Sequence, residues 1–138
     1  MREFSANDKK IAKKYGIDIN RACVSNIGHG PFVIEEIDYK PAPNPTIEDI
    51  QNHENIKGIK AYRIYKSNGK YHKQSLAFIG YTIQELNEKT YLILEAACFP
   101  QKYTREYGEV YSYFLNQAIK LKAEKVINNT INVPDKIV

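Results

Sequence analysis

The residues best suited to chemistry are cations and phenol rings. Lys60, Tyr62, Arg63, Tyr65, Lys66, Lys70, Tyr71, His72 and Lys73 interleave positive charge with aromatic side chains, the mixture with which a protein surface stacks bases and neutralises phosphates. The plainer alternative is a solvated hairpin whose rings pack on their neighbours. A second candidate is Gly28-His29-Gly30-Pro31, a strong turn signal whose N–H groups can form an anion nest. His29, His53 and His72 lack the i, i+4 spacing of a helical metal site, so no metal is expected. Cys23 and Cys98 are far apart and make no C-x-x-C motif. No Ser or Cys is flanked as an activated nucleophile would be.

A third candidate is the passage Glu95-Ala96-Ala97-Cys98-Phe99-Pro100-Gln101-Lys102-Tyr103-Thr104-Arg105-Glu106-Tyr107-Gly108-Glu109-Val110. Within it, Arg105-x-x-Gly108-x-Val110 resembles the Q/R-x-x-G-x-G/A signature of the GNAT superfamily, the acyl-CoA-dependent N-acetyltransferases. In that family glycine lets a strand-to-helix loop approach the coenzyme pyrophosphate, which meets free backbone N–H groups and the positive helix end. Val110 stands where the family has Gly or Ala. The resemblance covers about residues 59–133. It implies acetyl-CoA as cofactor, held by Cys98, Phe99, Arg105, Glu106, Tyr107, Gly108, Glu109 and Val110, with an amine as acceptor. It also implies Glu95 as the general base that takes the amine proton. Tyr107 would donate a proton to the leaving thiolate, or else it packs with Tyr111 and Tyr113.

The 138-residue chain carries 20 Lys and Arg against 16 Asp and Glu, a net charge of +4. With 43% hydrophobic and 26% charged residues it reads as a globular domain rather than a disordered or disulfide-stapled one. Its length suits a single domain, residues 1–138. No stretch approaches the roughly 20 apolar residues of a membrane span. The first residues lack the apolar core of a secretory signal, so both thiols are expected reduced in a cytoplasmic protein. Tyr is abundant, at 11 against 5 Phe, which suits sheet surfaces, pockets and interfaces.

These candidates must be positioned by recognisable elements. Asn7-Asp8 can cap a short basic helix over 9–15, closed by Gly16. Ile17–Ile27 mixes β-branched and polar residues, and Phe32–Tyr39 reads as a strand. Residues 40–45, with three prolines, form a stiff internal linker, and Thr46 can cap a helix over 47–54. Ile59–Lys66 and Tyr71–Ile83 are strands about an Asn68-Gly69 hairpin turn. After a polar turn over 84–90, Tyr91–Phe99 is nearly continuously apolar, as in a strand covered on both faces. Alternation groups Glu95 with Tyr91, Ile93, Ala97 and Phe99. From Arg105 to Lys125, apolar residues at three-and-four spacing predict an amphipathic helix of six turns, followed by a strand over 126–133.

The sequence therefore predicts one α+β domain, a mostly antiparallel sheet with a long C-terminal amphipathic helix packed across it. Its leading functional expectation is a GNAT-like protein that binds acyl-CoA and transfers an acetyl group to an amine. The other is a non-enzymatic binding protein of phage or mobile-element type, contacting nucleic acid or a partner protein through Tyr62, Arg63, Tyr65, Lys66, Lys70, Tyr71 and Lys73. An oligomer is compatible with either, a membrane with neither. A cleft reaching free amides near Gly108 favours the first, and a Tyr-rich basic sheet face the second.

Overall fold

The computed structural model describes residues 3–38 and 56–129. Helix α1 spans Ala6–Tyr15, and its N-terminal amides are capped by Ser5, not Asn7 or Asp8. Ser5 and Asp8 form a reciprocal capping box, which satisfies two otherwise orphaned donors. Gly16 ends the helix in the left-handed region at φ 69°. A single 3-10 turn follows, Ile19–Arg21, so most of the mixed stretch before Gly28 resolves into that turn and strand β1, Ala22–Ser25.

Strands β2 (Phe32–Asp38), β3 (Ile56–Ser67), β4 (Lys70–Leu86), β5 (Lys89–Cys98) and β6 (Lys125–Asn128) complete a six-stranded sheet in sequence order. Every neighbouring pair is antiparallel except β5 and β6. The expected polar turn over 84–90 is much shorter than its composition suggests. Asn87 and Glu88 both take positive φ, 52° and 65°, as a two-residue hairpin turn matched to strand twist requires. The strands therefore run to Leu86 and resume at Lys89. The expected linker over 40–45 and helix over 47–54 lie outside the described residues, as do the last residues of the expected 126–133 strand.

Helix α2, Thr104–Lys120, is a turn shorter than the pattern predicted. The chain leaves it at Leu121 and Lys122, the latter at φ 54°. The helix buries Glu106, Val110, Phe114 and Ala118, four positions at spacing four, on one face of the sheet. Phe32, Ile34, Ile59, Leu76, Ile79, Tyr81, Leu92 and Leu94 meet them there. Leu115, Ile119 and Leu121, which the apolar pattern had included, point outward. On the other face α1 closes a smaller core of Phe4, Ala12, Ile17, Val24 and Tyr62. The molecule is thus an α+β domain with a mostly antiparallel sheet and its long helix packed across it.

Strand β5 is covered less than its composition suggested. Leu92 and Leu94 are buried, but Glu95, Ala96 and Cys98 are exposed. The register shows why the alternation fails: Gly80 pairs with Ala96 and Tyr81 with Leu94, leaving Glu95 as the extra residue of a β-bulge. Beyond it Ala97 and Phe99 join the α2-facing core, while Glu95 stays on the side of Thr82 and Ile93. The predicted grouping of Glu95 with Ala97 and Phe99 is therefore corrected.

Candidate functional site

The hairpin of β3 and β4 does not present its cations and rings on one surface, because a strand sends successive side chains to opposite faces. Arg63 pairs with Gln74 and Tyr65 with His72. This face lies on the α2 side, where the Gln74 amide donates to the Tyr103 hydroxyl at 3.0 Å. There Tyr65 stacks on His72 at 5.4 Å, and Arg63 is half-buried. Lys70, at the hairpin turn, is exposed. Tyr62, Lys66, Tyr71 and Lys73 occupy the opposite face, the one α1 covers.

On that face three rings gather four ammonium groups. Lys73 Nζ lies 4.8 Å from the Tyr62 ring centre and 5.6 Å from that of Tyr15. Lys60 approaches Tyr62 from another direction at 5.2 Å. Lys14 and Lys66 share Tyr71, at 4.9 and 5.7 Å, and Tyr15 meets Tyr71 edge-on at 6.1 Å. Each contact lets a ring's negative face offset positive charge, but a ring carries no net charge. Of these four lysines, Lys60 alone pairs with a carboxylate among the described residues, Glu35 at 3.6 Å. Tyr62 also donates to Glu35, at 3.3 Å, and burial together with that carboxylate holds its phenol well above the ordinary range. Lys14, Lys66 and Lys73 pair with no acid among the described residues and stay exposed. The contribution of α1 was hidden in the sequence, although Lys9, Lys10, Lys13 and Lys14 run along it.

The passage after β5 is arranged differently from its expectation. Pro100 leads into a 3-10 turn, Gln101–Tyr103, and α2 begins at Thr104. Arg105, Gly108 and Val110 are therefore helical residues, not members of a loop. Arg105 and Gly108 are exposed, Glu109 is half-buried and Val110 is fully buried in the core. The N–H groups of Gly108, Glu109 and Val110 fall where an α-helix bonds each to the carbonyl four residues earlier, so none is free for a phosphate. Tyr107 stacks on Phe99, with ring centres 4.1 Å apart. Burial raises its phenol above the ordinary range. Cys98 is exposed on the sheet surface.

The first turn of α2 already holds an anion. Glu106 is 0% exposed, and its Oε2 accepts from the His29 backbone N–H at 3.3 Å and pairs with His29 Nδ1 at 3.0 Å. Burial pushes this carboxyl up, but the His29 ring, the Glu106 N–H and the His29 N–H together outweigh it and hold it below the usual carboxylate range. Of the turn Gly28-His29-Gly30, the N–H and ring of His29 meet a carboxylate, and that carboxylate belongs to the chain itself. A signal was present: Glu106 stands four residues before Val110, at the head of the buried Val110, Phe114, Ala118 stripe.

Glu95 sits at the bulge with its carboxylate exposed. Thr82 Oγ1 donates to Oε1 at 3.3 Å and Asn129 Nδ2 to Oε2 at 3.2 Å. β6 pairs with β5 over Tyr91–Leu94, and the Asn129 N–H reaches the Leu94 carbonyl at 2.9 Å, so Glu95 lies just past that parallel pairing. The acetyl-CoA implied by the signature is not matched by the residues at α2: the amides around Gly108 are used within the helix, and a buried carboxylate sits at its first turn. Among the described residues no group of three or more His, Cys, Asp and Glu is placed to hold a metal ion. No helix among them is long and apolar enough to cross a membrane.

No family model matches the chain, and no curated protein matches it. Among solved structures, the ribosomal-protein-alanine N-acetyltransferase of Brucella melitensis biovar Abortus 2308 is similar over 64% of this chain at 10% identity, with a TM-score of 0.47. This chain spans 60% of that one's length. The similarity is weak and one of fold alone.

Proposed function

We propose that this protein binds single-stranded nucleic acid on the face formed by α1 and the β3–β4 hairpin. The observation that carries the reading is the convergence of Lys14, Lys60, Lys66 and Lys73 on the rings of Tyr15, Tyr62 and Tyr71. Holding Lys14, Lys66 and Lys73 together with no carboxylate partner among the described residues leaves charge that a phosphate backbone neutralises, with release of its counterions. Tyr71, partly exposed, adds an aromatic surface for a base once Lys14 or Lys66 moves to a phosphate. Binding requires no reacting group of this face.

The test is fluorescence anisotropy of a labelled 15-mer oligo-dT, with the double variant Lys66→Gln/Lys73→Gln and a poly-glutamate competitor. The reading predicts saturable binding weakened at least about tenfold in the variant, since each lost phosphate contact costs of order 1 kcal/mol. It also predicts poor competition by poly-glutamate. Equal binding by wild type and variant, or full competition by poly-glutamate, would refute it.

A second reading keeps acyl transfer to an amine, with Glu95 as the base. Its support is the Glu95 carboxylate, exposed and fixed by Thr82 and Asn129 beside the end of the β5–β6 pair. A base must reach the amine it deprotonates, and this one is accessible. The α2 terminus does not suit the pyrophosphate of a coenzyme donor. Acetylation of a panel of amines by wild type supplied with acetyl-CoA, with release of free CoA and abolished by Glu95→Gln, would establish this reading against the first.

A further inference from the structure

We infer that the N-terminal turn of α2 is filled by an internal ligand, the Glu106 carboxylate, and is closed to coenzyme A. Unsatisfied N–H groups and the helix dipole make such a turn attract an anion. Here the attraction is met from within. Its Oε2 takes the His29 N–H at 3.3 Å and the His29 ring at 3.0 Å, Oε1 is left without a hydrogen-bond partner, and the carboxylate is sealed from solvent. Thr104 directs its own N–H to the Gln101 carbonyl, removing one donor of the turn. The loop that completes the enclosure is shaped around the carboxylate: a Cβ at Gly28 would stand 2.6 Å from Glu106 Cδ and Oε1. A pyrophosphate would have to displace a buried anion, not enter an empty cradle. Arg105 and Lys102, both exposed, do not reverse this, since their charges remain in water.

Two thermal-shift experiments on the full chain test the inference. In the first, wild type is titrated with coenzyme A to millimolar concentration beside Gly108→Trp, whose new Cβ meets nothing within 4 Å. No shift is expected in wild type. A shift of several degrees that Gly108→Trp abolishes would overturn the inference. A shift that Gly108→Trp preserves and Lys66→Gln/Lys73→Gln abolishes would put the coenzyme on the basic face and leave the inference standing. In the second, Glu106→Ala vacates the carboxylate space. Its melting temperature should fall, and acetate, a free carboxylate of the right size, should restore part of the loss while leaving wild type unmoved. Should Glu106→Ala fail to fold, Glu106→Gln retains the shape without the charge and should likewise be less stable. A Glu106 variant as stable as wild type and indifferent to acetate would overturn the inference.

Discussion

Gly28 leaves the space that the Glu106 carboxylate occupies: a Cβ on Gly28 would stand 2.6 Å from Glu106 Cδ and Oε1 and 2.8 Å from Oε2. The same residue holds φ at 82°, a conformation that strains any L side chain. Gly28→Ala meets both costs and should lose about 2 kcal/mol or more of stability. Urea denaturation measures this; a loss under about 0.5 kcal/mol, within the range of an ordinary surface change, would mean the loop is not held by Glu106.

Glu106 gives the fold a specific acid sensitivity. Its carboxyl is held below the ordinary range, so the folded state binds fewer protons than the unfolded one near and below pH ~4.3, the usual glutamate value. The stability this contributes is present above that pH and is lost as pH falls through the lower folded value. Melting temperatures from pH 7 to pH 3 should therefore fall less steeply in Glu106→Gln than in wild type. Parallel curves would show that Glu106 does not gain its stabilisation from His29.

The alkaline limb should follow the buried tyrosines. Burial pushes the Tyr81 phenol up to about 12, with Glu36 adding to the effect, and raises Tyr62, Tyr107 and Tyr113 as well. A raised phenol value means stability that is whole below pH ~10 and lost as pH rises toward 12. Ultraviolet titration should show these tyrosines ionising last and together with unfolding. Tyr81→Phe should flatten the alkaline limb, and an unchanged limb would contradict the burial of its hydroxyl group.

Strand β2 and helix α2 are joined by Glu36, which accepts from the Tyr113 hydroxyl at 3.0 Å and the Gln117 amide at 2.6 Å. Tyr113→Phe removes one of two bonds to a charged acceptor and should cost about 1.5 kcal/mol in urea denaturation. A neutral result would mean that solvent replaces the bond freely.

The two thiols should differ in reactivity. Cys98 is exposed, whereas Cys23 is half-buried and burial pushes its thiol up to about 11. Iodoacetamide at pH 8 should modify Cys98 first, because the thiolate is the attacking species. Cys98→Ser should remove the fast phase, and retention of that phase would overturn the assignment.

Much of the fold is legible in local patterns. Asn68-Gly69 marks the central hairpin and the stripe Val110, Phe114, Ala118 marks the long helix, because turn chemistry and helical period are properties of neighbouring residues. What the sequence conceals depends on partners far along the chain. Asn87-Glu88 makes a tight turn without glycine because the paired strands impose its backbone. The Glu95 bulge is set by register against Gly80 and Tyr81. Glu106 reads as a solvated first-turn acid until His29, 77 residues away, is placed against it. The basic face had the same fate: half of the hairpin's cations point to the other side, and Lys14 with Tyr15 replaces them from α1.

The most direct test of nucleic-acid binding is a residue-resolved one, an amide NMR titration of the labelled protein with 15-mer oligo-dT. Binding on the α1 and β3–β4 face predicts perturbations concentrated at Lys14, Tyr15, Tyr62, Lys66, Tyr71 and Lys73, with an affinity that falls with salt at a slope of about −0.7 in log K per log salt for each phosphate contacted. Perturbations centred on Cys98–Val110, or none at low salt, would contradict it.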